Sequence, residues 1–320
     1  MPVHTLLDVA KLTGNDVAVG LIEENQTFAP EVLSFMSRVI PGTSYKTAVA
    51  TTLPTTGFTA ANQGIAPTKS TFDQRLTECF IFRGAVEVDL AVSRASEGLG
   101  LPDLEMIEAS RVTRSALVTL GGQIFNGTSA LGFTGLKAFT PKTAASGTSS
   151  IVVDATGTTS STASSIYAVK FGLQDCHLVF GNGNTLQLGE FRDQQLTDSS
   201  GNKYGGRVAD LTAHVGLQLG NVNCVGRILN VTADSGKTAS DSLISQLIEK
   251  FPVGYTPDVL FMSRRSAGQL ARSRSVTIFS QAGVAPNAAR TTPNIASRVQ
   301  DWDGIPIVLS DNIGITDAIE

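Results

Sequence analysis

Apolar residues follow two rhythms along this chain, and the change between them marks out its parts. From Tyr45 to Leu53 they alternate, so that Tyr45, Thr47, Val49, Thr51 and Leu53 share one face at a period of two, which predicts a strand. On the return, Phe72, Leu76, Phe80 and Phe82 read as one apolar face, with Asp73, Arg75 and Thr77 on the other. Between the strands lies Pro54-Thr-Thr-Gly-Phe-Thr-Ala-Ala-Asn-Gln-Gly-Ile-Ala-Pro67, which has no charged side chain. A hairpin over residues 45–83 with so little apolar content is marginal alone in water. Two readings stay open: a flexible loop on an ordinary domain, or an arm lying across a neighbouring subunit.

A helical period begins at Pro102-Asp103, a stop and N-terminal cap. Val112, Ala116, Leu117, Leu120 and Ile124 form an apolar stripe, Glu105 and Glu108 sit at the positive end of the dipole, and Glu108 can pair with Arg111. Asn126-Gly127 ends a helix of roughly five turns or more that runs through Gly121-Gly122. Upstream, residues 1–41 show weak helical patterns at Thr5–Leu12 and Val17–Glu24, then Pro30, Val32, Leu33, Phe35, Met36 and Pro41. Helices this short bury little, so this segment reads as an arm that lies on something else.

Downstream the pattern is mostly β. A low-complexity loop over 141–165 carries one apolar island at Ile151–Val153. Strands follow at Ile166–Phe171 and His177–Phe180, then a Gly/Asn turn at 181–184, a polar connection through Lys203, and strands at Leu211–Leu219 and Val222–Val231. Asp241–Phe251 reads as an amphipathic helix, Val259–Met262 as a strand entering a helix at Ser263–Ser273, and Trp302–Leu309 as a closing strand. The fold class is α+β, without an internal repeat.

Composition narrows the function. Charged residues make up 16 % of the chain, against about 25 % in ordinary soluble domains, while 42 % are hydrophobic. A surface so poor in charge either stays soluble by other means, as in secreted β-proteins of like composition, or is covered by partners, which suggests a multimer. The net charge of −4 argues against a groove that neutralises phosphates. Cys79, Cys176 and Cys224 form no C-x-x-C pair and read as reduced, buried thiols. The N-terminus lacks signal-peptide features and no apolar run approaches a membrane span, so the chain reads as cytosolic and soluble.

Catalytic chemistry finds little support. Ser235-Gly236-Lys237-Thr238 lies between a strand and a helix as a phosphate-binding P-loop would, but Val231 stands where that motif needs glycine, so a polar turn before a helix is the better reading. His4, His177 and His214 have no metal-ligand spacing. Gly181-Asn-Gly-Asn184 reads better as a hairpin turn than as a phosphate loop. Arg264, Arg265, Arg272 and Arg274 make the one basic cluster, for which salt bridges across an interface are favoured over nucleic acid.

The order of these elements resembles that of tailed-bacteriophage major capsid proteins with the Johnson fold. The resemblance rests on Phe28-Ala-Pro-Glu-Val-Leu-Ser-Phe35 for the arm, Gly42–Phe82 for the extended E-loop, and Leu104–Phe125 for the spine helix. It continues in Ser165-Ile-Tyr-Ala-Val-Lys-Phe-Gly172, Val179-Phe-Gly-Asn-Gly, Val215-Gly-Leu-Gln-Leu and Val225-Gly-Arg-Ile-Leu-Asn230, then in Pro257–Arg264 and Trp302-Asp-Gly-Ile-Pro-Ile. It implies an N-arm (1–41), an E-loop hairpin (42–84), a spine helix within the P-domain (85–134), P-domain strands with an insertion (135–231) and an A-domain (232–320).

The resemblance further implies a virion shell of hexamers and pentamers around double-stranded DNA, bound without sequence specificity, with a portal, decoration proteins and a separate scaffolding protein as partners. It implies no catalytic residue, cofactor, metal or membrane. Subunit contacts would fall on Tyr45, Lys46, Pro54, Gly57, Phe58, Gly64, Pro67 and Lys69 of the E-loop and on Phe28 and Phe35 of the arm, with Arg264, Arg265, Arg272 and Arg274 as interface charges. An encapsulin-like compartment shell, or a P-loop enzyme, is the alternative.

Overall fold

The computed structural model describes residues 27–96, 104–128, 131–274 and 300–320. A one-turn helix, α1 (Pro30–Ser34), leads into β1 (Ser37–Val39), then β2 (Ser44–Thr52), β3 (Thr71–Glu78) and β4 (Phe80–Asp89). Helices α2 (Leu90–Ser96), α3 (Leu104–Asn126) and α4 (Leu136–Phe139) follow. Seven strands come next: β5 (Val152–Asp154), β6 (Ser164–Val169), β7 (Cys176–Phe180), β8 (Gln187–Leu188), β9 (Arg192–Thr197), β10 (Lys203–Leu219) and β11 (Val225–Val231). The chain closes with α5 (Asp241–Glu249), β12 (Val259–Met262), α6 (Arg264–Ser273), β13 (Asp301–Trp302) and β14 (Ile305–Leu309). The helical patterns expected at 5–12 and 17–24, and the cap at Asp103, lie outside the described residues.

Two six-stranded sheets form the body, and β2 and β3 pair only with each other. In the first sheet β10 is the hub: β4 runs antiparallel along one side, while β9, β8 and β7 lie in succession along the other, with β1 parallel beyond β7. The second sheet runs β13-β14-β12-β6-β11-β5. The chain therefore leaves the second sheet after β6, builds the β7–β10 excursion in the first, and returns as β11 beside β6. The stretch 135–231 serves both sheets, so its end at Val231 does not divide one sheet from the other.

Three departures from the sequence expectations have physical causes. First, the return strand is two strands: pairing breaks at Cys79 and the inward face switches. In β3 the odd residues Arg75 and Thr77 face the body, whereas in β4 the even Phe80 and Phe82 do, because one residue between the two ladders, Cys79, moves every later side chain to the opposite face. Second, the polar connection through Lys203 holds β9, and the strand expected from Leu211 starts at Lys203, as a 17-residue β10. β9 is wet on both faces, so no apolar rhythm marks it; its turn is closed by Asp198 Oδ1, which accepts from the amides of Ser200 and Asn202 at 2.8 Å each. Third, Gly181–Asn184 joins two strands that both pair with β10 rather than with each other, so it is a bend, with Asn182 and Gly183 at positive φ.

The main core lies between the sheets: Tyr167, Val169 and Phe261 meet Leu178, Phe180, Val215 and Leu217 under Leu120, Ile124 and Phe125 of α3. On the far face of the second sheet, Ile166, Ile228, Leu260 and Met262 pack on Ile244 and Leu247 of α5 and Leu270 of α6. Covered on both faces, β6 and β11 are buried along their whole length. Helix α3 runs 23 residues, about 35 Å. Within it position 121 must be glycine, because the Glu31 carboxylate of α1, held by the Asn312 amide, occupies the space a side chain there would need.

Candidate assembly surfaces

Strands β2 and β3 extend as a ribbon whose side chains remain wet: Thr77 is its one buried residue. Beyond it Pro54, Gly57, Phe58, Gly64, Pro67 and Lys69 are all exposed, as is Lys46 on the ribbon. Neither Gly57 nor Gly64 has a positive φ or a crowded Cβ position, so no backbone constraint demands glycine there.

Side chains pin the ribbon's base to the last residues of β10. The Tyr45 hydroxyl donates to Oε1 of the buried Gln218, whose amide donates to the Leu173 carbonyl at 2.8 Å. Arg75 Nη1 donates to the carbonyls of Leu219 (3.1 Å) and Gly220 (2.9 Å). Burial pushes the Tyr45 hydroxyl above its ordinary value, so it stays a donor. Gly216 lets the chain cross here, since the Glu78 carbonyl fills its Cβ position. A groove of about 580 Å³ runs beneath the ribbon, floored by Phe80, Phe139 and Leu217.

The arm residues divide. Phe35 stacks on Phe261 at 5.4 Å within the main core, so it holds the arm to its own subunit rather than facing a neighbour. Phe28 stays exposed, with the Arg114 guanidinium 4.6 Å over its ring. The four arginines also part company. Arg265 donates to the carbonyls of Thr162 (2.6 Å), Ile315 (2.9 Å) and Val231 (3.1 Å), and Arg274 forms a bidentate pair with Asp241 at 2.6 and 2.8 Å. These two serve joints within the subunit; Arg264, Arg272 and Arg274 are exposed, and Arg265 is half-buried. Cys79 is half-buried, unlike the buried Cys176 and Cys224.

Beside the Ser235–Thr238 turn, the Asp234 carboxylate is tied to the Thr158–Thr159 segment, accepting from both of its amides (3.3 and 3.2 Å). It accepts from Thr159 Oγ1 (2.6 Å) and Thr232 Oγ1 (2.8 Å), which hold it down at about 2, while Lys237 reaches Thr156. With both charged groups of the turn bonded to neighbouring threonines, this is a polar turn, and Ser240 then caps α5. Among the described residues no His, Cys, Asp or Glu cluster suits a metal, and no helix is long and apolar enough to cross a membrane.

The sequence matches the family described as Major capsid protein GP7 over residues 36–319. The chain belongs to that family. No curated protein matches by sequence. Among solved structures, a chain of bacteriophage Epsilon15 is similar at a TM-score of 0.71 and 15 % identity, covering 100 % of this chain and 98 % of its own. A chain of the bacteriophage JBD30 capsid follows at 0.52 and 10 % identity, covering 91 % and 93 %. A chain of the holo-SrpI encapsulin complex of Synechococcus elongatus PCC 7942 gives 0.46 at 8 % identity, covering 72 % and 97 %. The fold is the Johnson fold, and this major capsid protein is a structural protein of the tailed-phage virion, built in many copies into an icosahedral shell.

Sequence reading missed the charge that ties this capsid protein together. Arg227, 2 % exposed, donates to both Glu320 carboxylate oxygens (2.7 and 3.0 Å), to Ser165 Oγ (3.0 Å) and to the Thr140 carbonyl (3.2 Å). Burial works to raise the Glu320 carboxyl, but Arg227 and Lys137 outweigh it and hold it below its ordinary value. A lone arginine inside the apolar run Val225–Val231 was the available signal. At the other end of the body, Arg207 holds the buried Glu105 of α3 at 2.9 and 3.0 Å.

Proposed function

We propose that the chain assembles into hexamers and pentamers through its ribbon and arm, with no catalytic step of its own. In this reading β2–β3 is the E-loop, the first sheet with α3 is the P-domain, and the second sheet with α5 and α6 is the A-domain. The observation that carries it is the ribbon, a two-stranded element with one buried residue, joined to the body by Tyr45 and Arg75 at its base. Each subunit contact is modest, and ring closure multiplies them through effective concentration. A scaffolding protein and a portal complete the assembly, and the mild net charge of −4 suits a shell that encloses double-stranded DNA without gripping it. Deleting residues 52–68 tests this: the subunit should melt as before and form no shells. Particles at normal yield would sink the reading.

A further inference from the structure

Two Asn-Gly pairs occur in the chain, Asn126-Gly127 and Asn182-Gly183. This dipeptide carries a chemistry of its own. Once the glycine amide loses its proton, its nitrogen attacks the asparagine side-chain Cγ, and glycine has no Cβ to hinder the approach. The new N–Cγ bond closes a succinimide ring, the Cγ–Nδ2 bond breaks, and the side-chain nitrogen leaves as ammonia. Water then opens the ring to isoaspartate or aspartate, a net exchange of ammonia for water that adds one negative charge. A glycine N–H that donates to a carbonyl is shielded from the base that must remove its proton, so the reaction waits for that bond to open.

Both glycine amides are held, by partners of different kinds. Gly127 donates to the Gln123 carbonyl at 2.9 Å at the end of α3, and the Asn126 side-chain amide donates to the Asn312 carbonyl at 3.1 Å. This end of α3 is anchored in the main core by Ile124 and Phe125, both fully buried. At the other site, Gly183 donates to the Ile40 carbonyl at 2.8 Å and Asn182 to the Gly42 carbonyl at 3.0 Å. Both acceptors lie where the arm meets the ribbon, and Ile40 itself donates to the Phe180 carbonyl at 2.8 Å, so this clamp is the last rung of the β1–β7 pairing. Asn182 is exposed, and β1 is a three-residue edge strand whose side chains are exposed throughout. A short edge ladder with few buried contacts opens far more often than a helix end seated in the core.

We propose that Asn182 is a deamidation site that the subunit's own arm keeps closed. Its rate follows the fraction of time the Ile40 and Gly42 carbonyls are away from the bend, whereas Asn126 stays closed as long as α3 is seated. The change runs one way. Isoaspartate at position 182 adds a carbon to the backbone of a bend in which Asn182 and Gly183 both hold positive φ, so the bonds to Ile40 and Gly42 no longer re-form in register. An arm that stays open long enough for the reaction loses its seat for good.

The test incubates the full-length subunit, folded and urea-unfolded, at mildly alkaline pH and reads isoaspartate at both positions by peptide mapping. Unfolded, the two positions should react alike. Folded, Asn182 should slow by about tenfold or more yet still react, and Asn126 should be slower again. Phe35→Leu, which weakens the arm's anchor against Phe261, should speed Asn182 by about threefold or more and leave Asn126 unchanged. Equal rates at Asn182 in the folded and unfolded chain, or a folded Phe35→Leu subunit in which Asn182 keeps its wild-type rate, would overturn the proposal. Should that variant not fold, the wild-type order decides: an Asn182 no faster than Asn126 means that the arm is not the gate.

Discussion

In the second sheet, β6, β11 and β12 bury nearly every side chain; in the ribbon, β2 and β3 bury Thr77 alone. β6 pairs antiparallel with β11 and β12 as β2 does with β3, with one slip in each region. What separates them is where stability comes from. The sheet is held by apolar burial, which dominates folding energies. The ribbon is held by ladder hydrogen bonds and three side-chain bonds at its base, contacts of modest net value in water. A subunit built this way can fold first and keep one element uncommitted until a neighbour arrives.

The largest expected effect strikes the body. Arg227→Ala leaves the half-buried Glu320 carboxylate with Lys137 alone, at 3.7 Å, and strips the Ser165 and Thr140 bonds, and should destabilise the subunit by about 3 kcal/mol in denaturant melts. Acid sharpens the same joint. The folded Glu320 carboxyl lies below its ordinary value of 4.5, so its contribution is present above that pH and is lost as pH falls beneath it. Wild type should therefore lose stability below about pH 4.5 more steeply than Arg227→Met, in melts run side by side. In the ribbon, Tyr45→Phe strips Gln218 of one donor at about 1 kcal/mol, read as roughly fivefold faster amide exchange at residues 44–49 with the body unchanged. Smallest of all, Phe58→Ser at the exposed tip should leave the subunit within about 0.5 kcal/mol of wild type.

Legibility followed the same division. Strands buried on both faces are legible as short continuous apolar runs and the amphipathic α3 by its period, and α3 passes through Gly121-Gly122 as expected. The hairpin was visible too, through its alternation and uncharged tip. Its inward face was misread because a one-residue break at Cys79 leaves no mark in composition yet inverts everything before it. Strand β9 escaped because wet strands have no hydrophobic period, and Phe35 passed for an interface residue because its core partner Phe261 lies far along the chain. The arginines were grouped by sequence spacing, whereas their acceptors, Asp241 and the carbonyls of Thr162, Val231 and Ile315, are brought close only by the fold.

Hydrogen exchange on free subunit and assembled shell reads both regions at once. Amides of residues 44–52 and 71–78 should exchange quickly in the free subunit and become strongly protected in the shell, while those of β6, β11 and β12 stay protected in both. Equal protection of the ribbon in the two states, or a ribbon still open in the finished shell, would contradict an element held in reserve for assembly.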